Sequence, residues 1–235
     1  MYQLAPFVFA CMTGRNCMFL DLRQDRYLSV PQELMDALAP QIHGWQLSSH
    51  PHEARATLCT DTVPLAEDML AAGILRPYQS GTAVPRPQPP PATGDLASLS
   101  SADCDRNSGN CWMSVSSALA SADCALRVLP LWRIVARISA HAQSTGKPPH
   151  ADLLSRAATL TRCFREIRPW YPRDYLCLFD SLALTRYLHH HHIWTCWIFG
   201  VREDPFAAHC WVQYGGIVLN EHIDRAHLYT PIMAI

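Results

Sequence analysis

The stretch Arg173–Leu182, RDYLCLFDSL, decides how the second half of this 235-residue chain is read. Pro172 breaks the run before it, Asp174 is a candidate N-cap, and Leu178, Leu182, Ala183 and Tyr187 continue one helical face. Cys177 therefore falls in the first turn of a helix. There, unpaired backbone N–H groups and the positive end of the helix dipole stabilise a thiolate, the form of cysteine that attacks amide carbonyls. A cysteine on a helix is nonetheless far more often a buried small residue, and the chain has ten cysteines. Position alone does not single out Cys177.

Downstream, IWTCWIFGV (193–201) and FAAHCWVQYGGIVLNEHI (206–223) alternate apolar residues, which predicts strands and a hairpin turning at Gly215-Gly216. His209 lies on the first arm of that hairpin. Trp211 shares its face and is expected to line the site, whereas Cys210 points to the opposite face. A cysteine at a helix start, then a histidine on a later strand, then an acid or amide on the next is the general order of thiol hydrolases. The third member depends on the loop. With a two-residue loop, Asn220 and His222 share the face of His209; with a three-residue loop, Glu221 stands beside it. Asp180 would raise the thiol pKa if it faced the sulfur and is read as a solvated or structural charge.

Working upstream, residues 110–142 and 150–168 have helical spacing and read as scaffold. Before them, RPYQSGTAVPRPQPPPATGD, from Arg76, offers little to bury and reads as a polyproline-rich spacer. The expected organisation is thus 1–76, a linker at 77–107, and 108–235. In the first segment, LAPFVFA, CMFLDL and RYLSV read as three strands, with Arg23-Gln24-Asp25 as a turn. A helix starting at Pro31 follows, then helices at 52–59 and 63–73, the last stopped by Gly73. The fold class is α+β: a small winged-helix-like unit of three strands and three helices, then a helical and antiparallel-sheet domain.

Composition excludes several functions. Net charge is −1, and residues 1–76 hold five Arg, no Lys and eight acids, which argues against phosphate contact and nucleic acid binding. The longest apolar run is too short to span a bilayer, and the apolar amino terminus lacks a basic region and a cleavage site. No Cys-x-x-Cys occurs, so most cysteines are expected to be reduced in a cytoplasmic protein without membrane insertion. His189 to His192, with Cys196, Cys210 and His222, raise a zinc reading. Adjacent histidines at a helix end point around its axis, however, and no paired ligand spacing is present, so no metal and no cofactor are expected.

Two resemblances extend this reading. FLDLRQDRYLSVPQELMDAL resembles the peptide-recognition domain of ribosomal-peptide modification systems, related to the pyrroloquinoline-quinone peptide chaperone. In that family an extended leader peptide adds a strand to the sheet edge, which implicates Leu22, Arg26, Tyr27 and Leu28. YLCLFDSLAL and AHCWVQYGGIVLNE resemble the transglutaminase-like cysteine proteases that mature lasso peptides, the B proteins. That resemblance implies Cys177 as nucleophile, His209 as base and Glu221, where the family usually has Asp, as the group orienting the histidine. Asn220 is the alternative third residue. It further implies cleavage of the leader–core amide of a lasso-peptide precursor, alongside an asparagine-synthetase-like, ATP-dependent macrolactam synthetase as partner. A catalytically silent peptide-binding adaptor and a thiol acyltransferase are the alternatives.

Overall fold

The structure, a computed structural model, describes residues 1–45, 62–80, 90–99, 109–143 and 151–235, and the expected helix at 52–59 lies outside them. The chain divides into two units, Met1–Arg86 and Pro87–Ile235.

In the first unit, β1 (Tyr2–Leu4) and β2 (Val8–Thr13) replace the single strand expected at 4–10, because the chain breaks at Phe7, whose φ is +66°. β2, β3 (Asn16–Asp21) and β4 (Arg26–Pro31) form an antiparallel meander in that order, with β4 at one edge. Asp21 shapes the turn between β3 and β4, its Oδ1 accepting from the Arg23 and Gln24 N–H groups at 3.0 and 3.3 Å. Pro31 ends β4 and caps helix α1 (Gln32–Leu38) rather than opening it. Helix α2 (Thr62–Ala71) stops at Gly73, whose φ of +74° suits glycine. There the Gly73 and Ile74 N–H groups return to the Leu70 and Met69 carbonyls, so the last turn is satisfied. β5 (Leu75–Pro77) then pairs with β1. Val8, Cys17 and Phe19 meet Met35, Leu38, Ala66 and Met69 in one core, as alternation on a half-buried sheet requires.

The second unit begins inside the segment expected to be linker. β6 (Gly94–Asp95) joins its sheet, so residues 90–99 are structural, and the correction has a clear cause: Asp95 is buried and accepts from the Ile223, Ala97 and Ser98 N–H groups at 3.0 to 3.2 Å. The helical scaffold is α3 (Gly109–Val128), α4 (Leu131–Gln143), broken from α3 at Pro130, and α5 (Ala151–Ile167). Next come α6 (Cys177–His190), β7 (Cys196–Arg202), β8 (Ala207–Tyr214), β9 (Ile217–Val218), α7 (Ile223–Ala226) and β10 (Thr230–Ala234). Sheet order is β10-β7-β8-β9-β6, antiparallel except for β6 against β9.

Helix α6 is buried along most of its length, with Phe179, Leu182, Ala183, Leu184, Tyr187 and Leu188 inside. A helix apolar on nearly all sides belongs at the centre of a layered domain, and α6 indeed packs against α3, α5 and β8. The opposite sheet face carries Ile198, Trp211 and Val218 with Ala226 and Ala234. Gly200 allows this packing: a Cβ there would lie 2.8 Å from Trp211 Cζ3 and 2.9 Å from Tyr229 Cβ. Gly200→Ala is therefore expected to cost about 1–3 kcal/mol by forcing the Trp211 ring and the Tyr229 Cβ aside, measured by urea unfolding.

The mixed α and β architecture, a strand-built first unit followed by helices and an antiparallel sheet, agrees with the fold class expected from sequence.

Candidate active site

Cys177 is the first residue of α6 and is exposed. Asp174 is not the cap. Leu176 holds the N-cap position in extended conformation, and its N–H is taken by Asp180 Oδ2 at 2.9 Å, a carboxylate reaching back from the first turn. Asp180 is in turn ion-paired with Arg168. The Arg168 guanidinium is buried and also donates to the carbonyls of Tyr171, Arg173 and Asp174, at 3.4, 3.0 and 2.9 Å, while lying over the Tyr175 ring. One arginine thus gathers the loop that delivers Cys177. Sequence reading missed it, because nothing in the local pattern ties Arg168 to a helix starting nine positions later.

His209 is buried on β8 opposite Gly200, its ring flanked by Trp211 and Tyr229 at centroid distances of 6.2 and 5.1 Å. Trp211 sits in the core behind the imidazole and does not line the cavity, a correction to the expected role. His209 Nε2 is 3.0 Å from Glu221 Oε2, which leaves Nδ1 as the nitrogen free for the sulfur. Glu221 Oε1 accepts from the His222 N–H at 3.1 Å, and Arg225 Nε is 3.5 Å from Oε2.

The geometry departs from the register argument. The loop is the two-residue Gly215-Gly216, since Tyr214 pairs with Ile217, and strict pairing would bring Asn220 and His222 to His209. Instead the ladder stops after Val218. Asn220 Oδ1 takes the Val212 N–H at 2.7 Å, its Nδ2 donates to Ser181 Oγ at 2.9 Å, and Ser181 Oγ donates to the Cys210 carbonyl at 3.0 Å. Asn220 is a clamp between sheet and α6, and the released chain swings Glu221 onto the histidine.

Cys210 does alternate away from His209 along β8, yet both line one cavity of about 440 Å3 with Cys177. The Cys210 thiol, then the His209 imidazole, act as hydrogen-bond donors to the Cys177 sulfur and outweigh its burial. They hold its pKa down at about 4. Four buried or partly buried cysteines behave oppositely: burial pushes Cys11 and Cys17 up to about 12 and raises Cys196 and Cys210. Among the described cysteines Cys163 is disulfide-bonded and seven are free. Iodoacetamide labelling of Cys177 is therefore expected to persist at mildly acidic pH, where an ordinary thiol of pKa about 8.5 is inert, and to fall only through about pH 4. Peptide mapping of labelled protein across pH checks this, and a midpoint near the ordinary value would contradict it.

Three of the four histidines at the end of α6 have local structural roles. His189 Nε2 accepts from the Thr195 N–H at 3.3 Å, His191 packs edge-on against Tyr187, and His192 takes the left-handed conformation that ends the helix. Among the described residues no group of three or more His, Cys, Asp or Glu is placed to hold a metal ion, and no helix is long and apolar enough to cross a membrane.

A cysteine of lowered pKa at a helix start, a strand histidine and a carboxylate on that histidine form the arrangement that thiol-based acyl transfer uses. Residues 117–234, half of the chain, match the family model described as transglutaminase-like superfamily, and the chain belongs to that superfamily, which includes cysteine proteases and acyltransferases. No curated protein and no solved structure matches the chain.

Proposed function

We propose that the protein is a cysteine peptidase that binds the leader of a lasso-peptide precursor and cuts the leader–core amide. The observation that carries this reading is the convergence of Cys177, held as thiolate, with the His209–Glu221 pair. The thiolate attacks the scissile carbonyl, and the Cys177 N–H, which has no partner within the helix, faces the same end of α6. His209, oriented by Glu221, gives its proton to the departing core amine, leaving the leader as a thioester on Cys177. Water, deprotonated by His209, then releases the leader carboxylate and restores the thiol.

Leader docking is supported by the place of β4 at one end of the β2-β3-β4 order, where an extended peptide can add as a strand. Of the residues implicated by resemblance, Tyr27 and Leu28 are half-buried on this strand. Leu22 is 1 % exposed, so its side chain cannot meet a peptide, and Arg26 is spent on the Ala72 carbonyl at 2.7 Å. These two act within the unit. The linker raises the effective concentration of the tethered precursor at the thiol, and the freed core amine passes to an asparagine-synthetase-like, ATP-dependent macrolactam synthetase.

Incubation with the precursor peptide, read by mass spectrometry, tests this function. A single cut giving leader acid and free core amine is expected. Transfer of the leader acyl group to an added labelled amine, in preference to water, would favour the acyltransferase instead.

A further inference from the structure

The cavity around Cys177 carries more positive charge than its own chemistry uses. Three arginines line it: Arg165, Arg168 and Arg225. Arg168 is consumed by Asp180 and the loop carbonyls. Arg225 shares the single Glu221 carboxylate with His209 and is 58 % exposed. Arg165, exposed in the last turn of α5, meets no acid or carbonyl among the described residues. Cys210 and His209 dominate the stabilisation of the Cys177 thiolate, so these two guanidiniums are not spent on the sulfur.

Resting on the reading of Cys177 as nucleophile, we propose that Arg165, seconded by Arg225, is a specificity determinant that selects substrates bearing a carboxylate beside the attacked carbonyl. A thiolate would by itself repel such a substrate. The Arg165 guanidinium, which meets no acid among the described residues, offsets that repulsion for an incoming anion, with the exposed Arg225 beside it on the same cavity. A guanidinium presents paired N–H donors that match a carboxylate in a planar fork, and a partly enclosed cavity screens that attraction less than open solvent does. The carboxylate belongs either to an Asp or Glu side chain or to a chain terminus.

The test is alkylation of Cys177 in the full chain by iodoacetate and by iodoacetamide, with the modified site read by peptide mapping. The iodoacetate-to-iodoacetamide rate ratio is expected to fall by a factor on the order of five in Arg165→Gln, the worth of one partly exposed ion pair, and to recover in part in Arg165→Lys. Protection of Cys177 from iodoacetamide by N-acetylglutamic acid α-amide, but not by N-acetylglutamine amide, marks a side-chain carboxylate; protection by N-acetylalanine marks a terminal one. A ratio unchanged by Arg165→Gln, or protection by neither acid, overturns the proposal. Labelling requires no turnover, so failure of the peptidase reading would show separately, as an intact precursor beside a normal charge preference.

Discussion

Cys177→Ala is expected to abolish precursor cleavage, lowering kcat/KM by about ten-thousand-fold or more while leaving the fold intact. The size follows from the division of labour at the site. Glu221 acts only through His209, and His209 only moves protons, so without the sulfur no covalent intermediate forms. Stability should hardly change, because the side chain is exposed at the tip of α6 and alanine is at home on a helix. Cys210→Ala makes the informative contrast: it empties a buried position and removes the leading hydrogen-bond donor to the Cys177 sulfur. It should raise the labelling midpoint of Cys177 and slow cleavage without ending it. Mass spectrometry of precursor turnover, paired with thermal unfolding of each variant, reads both effects. Equal cleavage by wild type and Cys177→Ala would remove Cys177 from the mechanism.

Arg168→Met is expected to destabilise the second unit by about 3–5 kcal/mol, the cost of breaking one side of a buried ion pair. The guanidinium is 3 % exposed, so its removal leaves the Asp180 carboxylate facing the low-dielectric interior without a counter-charge, and frees three loop carbonyls. Burial already raises the pKa of Asp180, and the neighbouring Cys177 thiolate adds to that. Without Arg168 the main offset to these two effects is gone, and the carboxylate that accepts from the Leu176 N–H is left disfavoured. Adding Asp180→Asn should return part of the stability, since the unpaired charge is gone, while activity stays low because the loop before Cys177 has lost its anchor. Urea unfolding of the single and double variants measures this. A loss under about 1 kcal/mol for Arg168→Met would mean that the loop holds itself.

Much of the site was legible because its signals are local. The helix start before Cys177, the alternation around His209 and the Gly-Gly turn each arise within a few residues, where periodicity and turn chemistry act directly. The division into a strand-built first unit and a second mixed unit also shows in composition. Its boundary does not, because residues 90–99 read as linker until Asp95 finds Ile223, a partner distant in sequence.

What the sequence alone determined was the pair Cys177 and His209, with a choice left open for the third residue. The tertiary structure made that choice. Loop length favoured Asn220 and His222, but Asn220 bonds to Val212 and Ser181 instead, ends the β9 pairing, and turns Glu221 toward the imidazole. Helix packing likewise brought Cys210, on the face away from His209, to the same sulfur, and placed Arg168 beneath the loop. The physical reason is the same in each case. Backbone register and helical phase are set by neighbours along the chain, whereas a buried side chain's hydrogen-bond partner is set by whichever element packs over it.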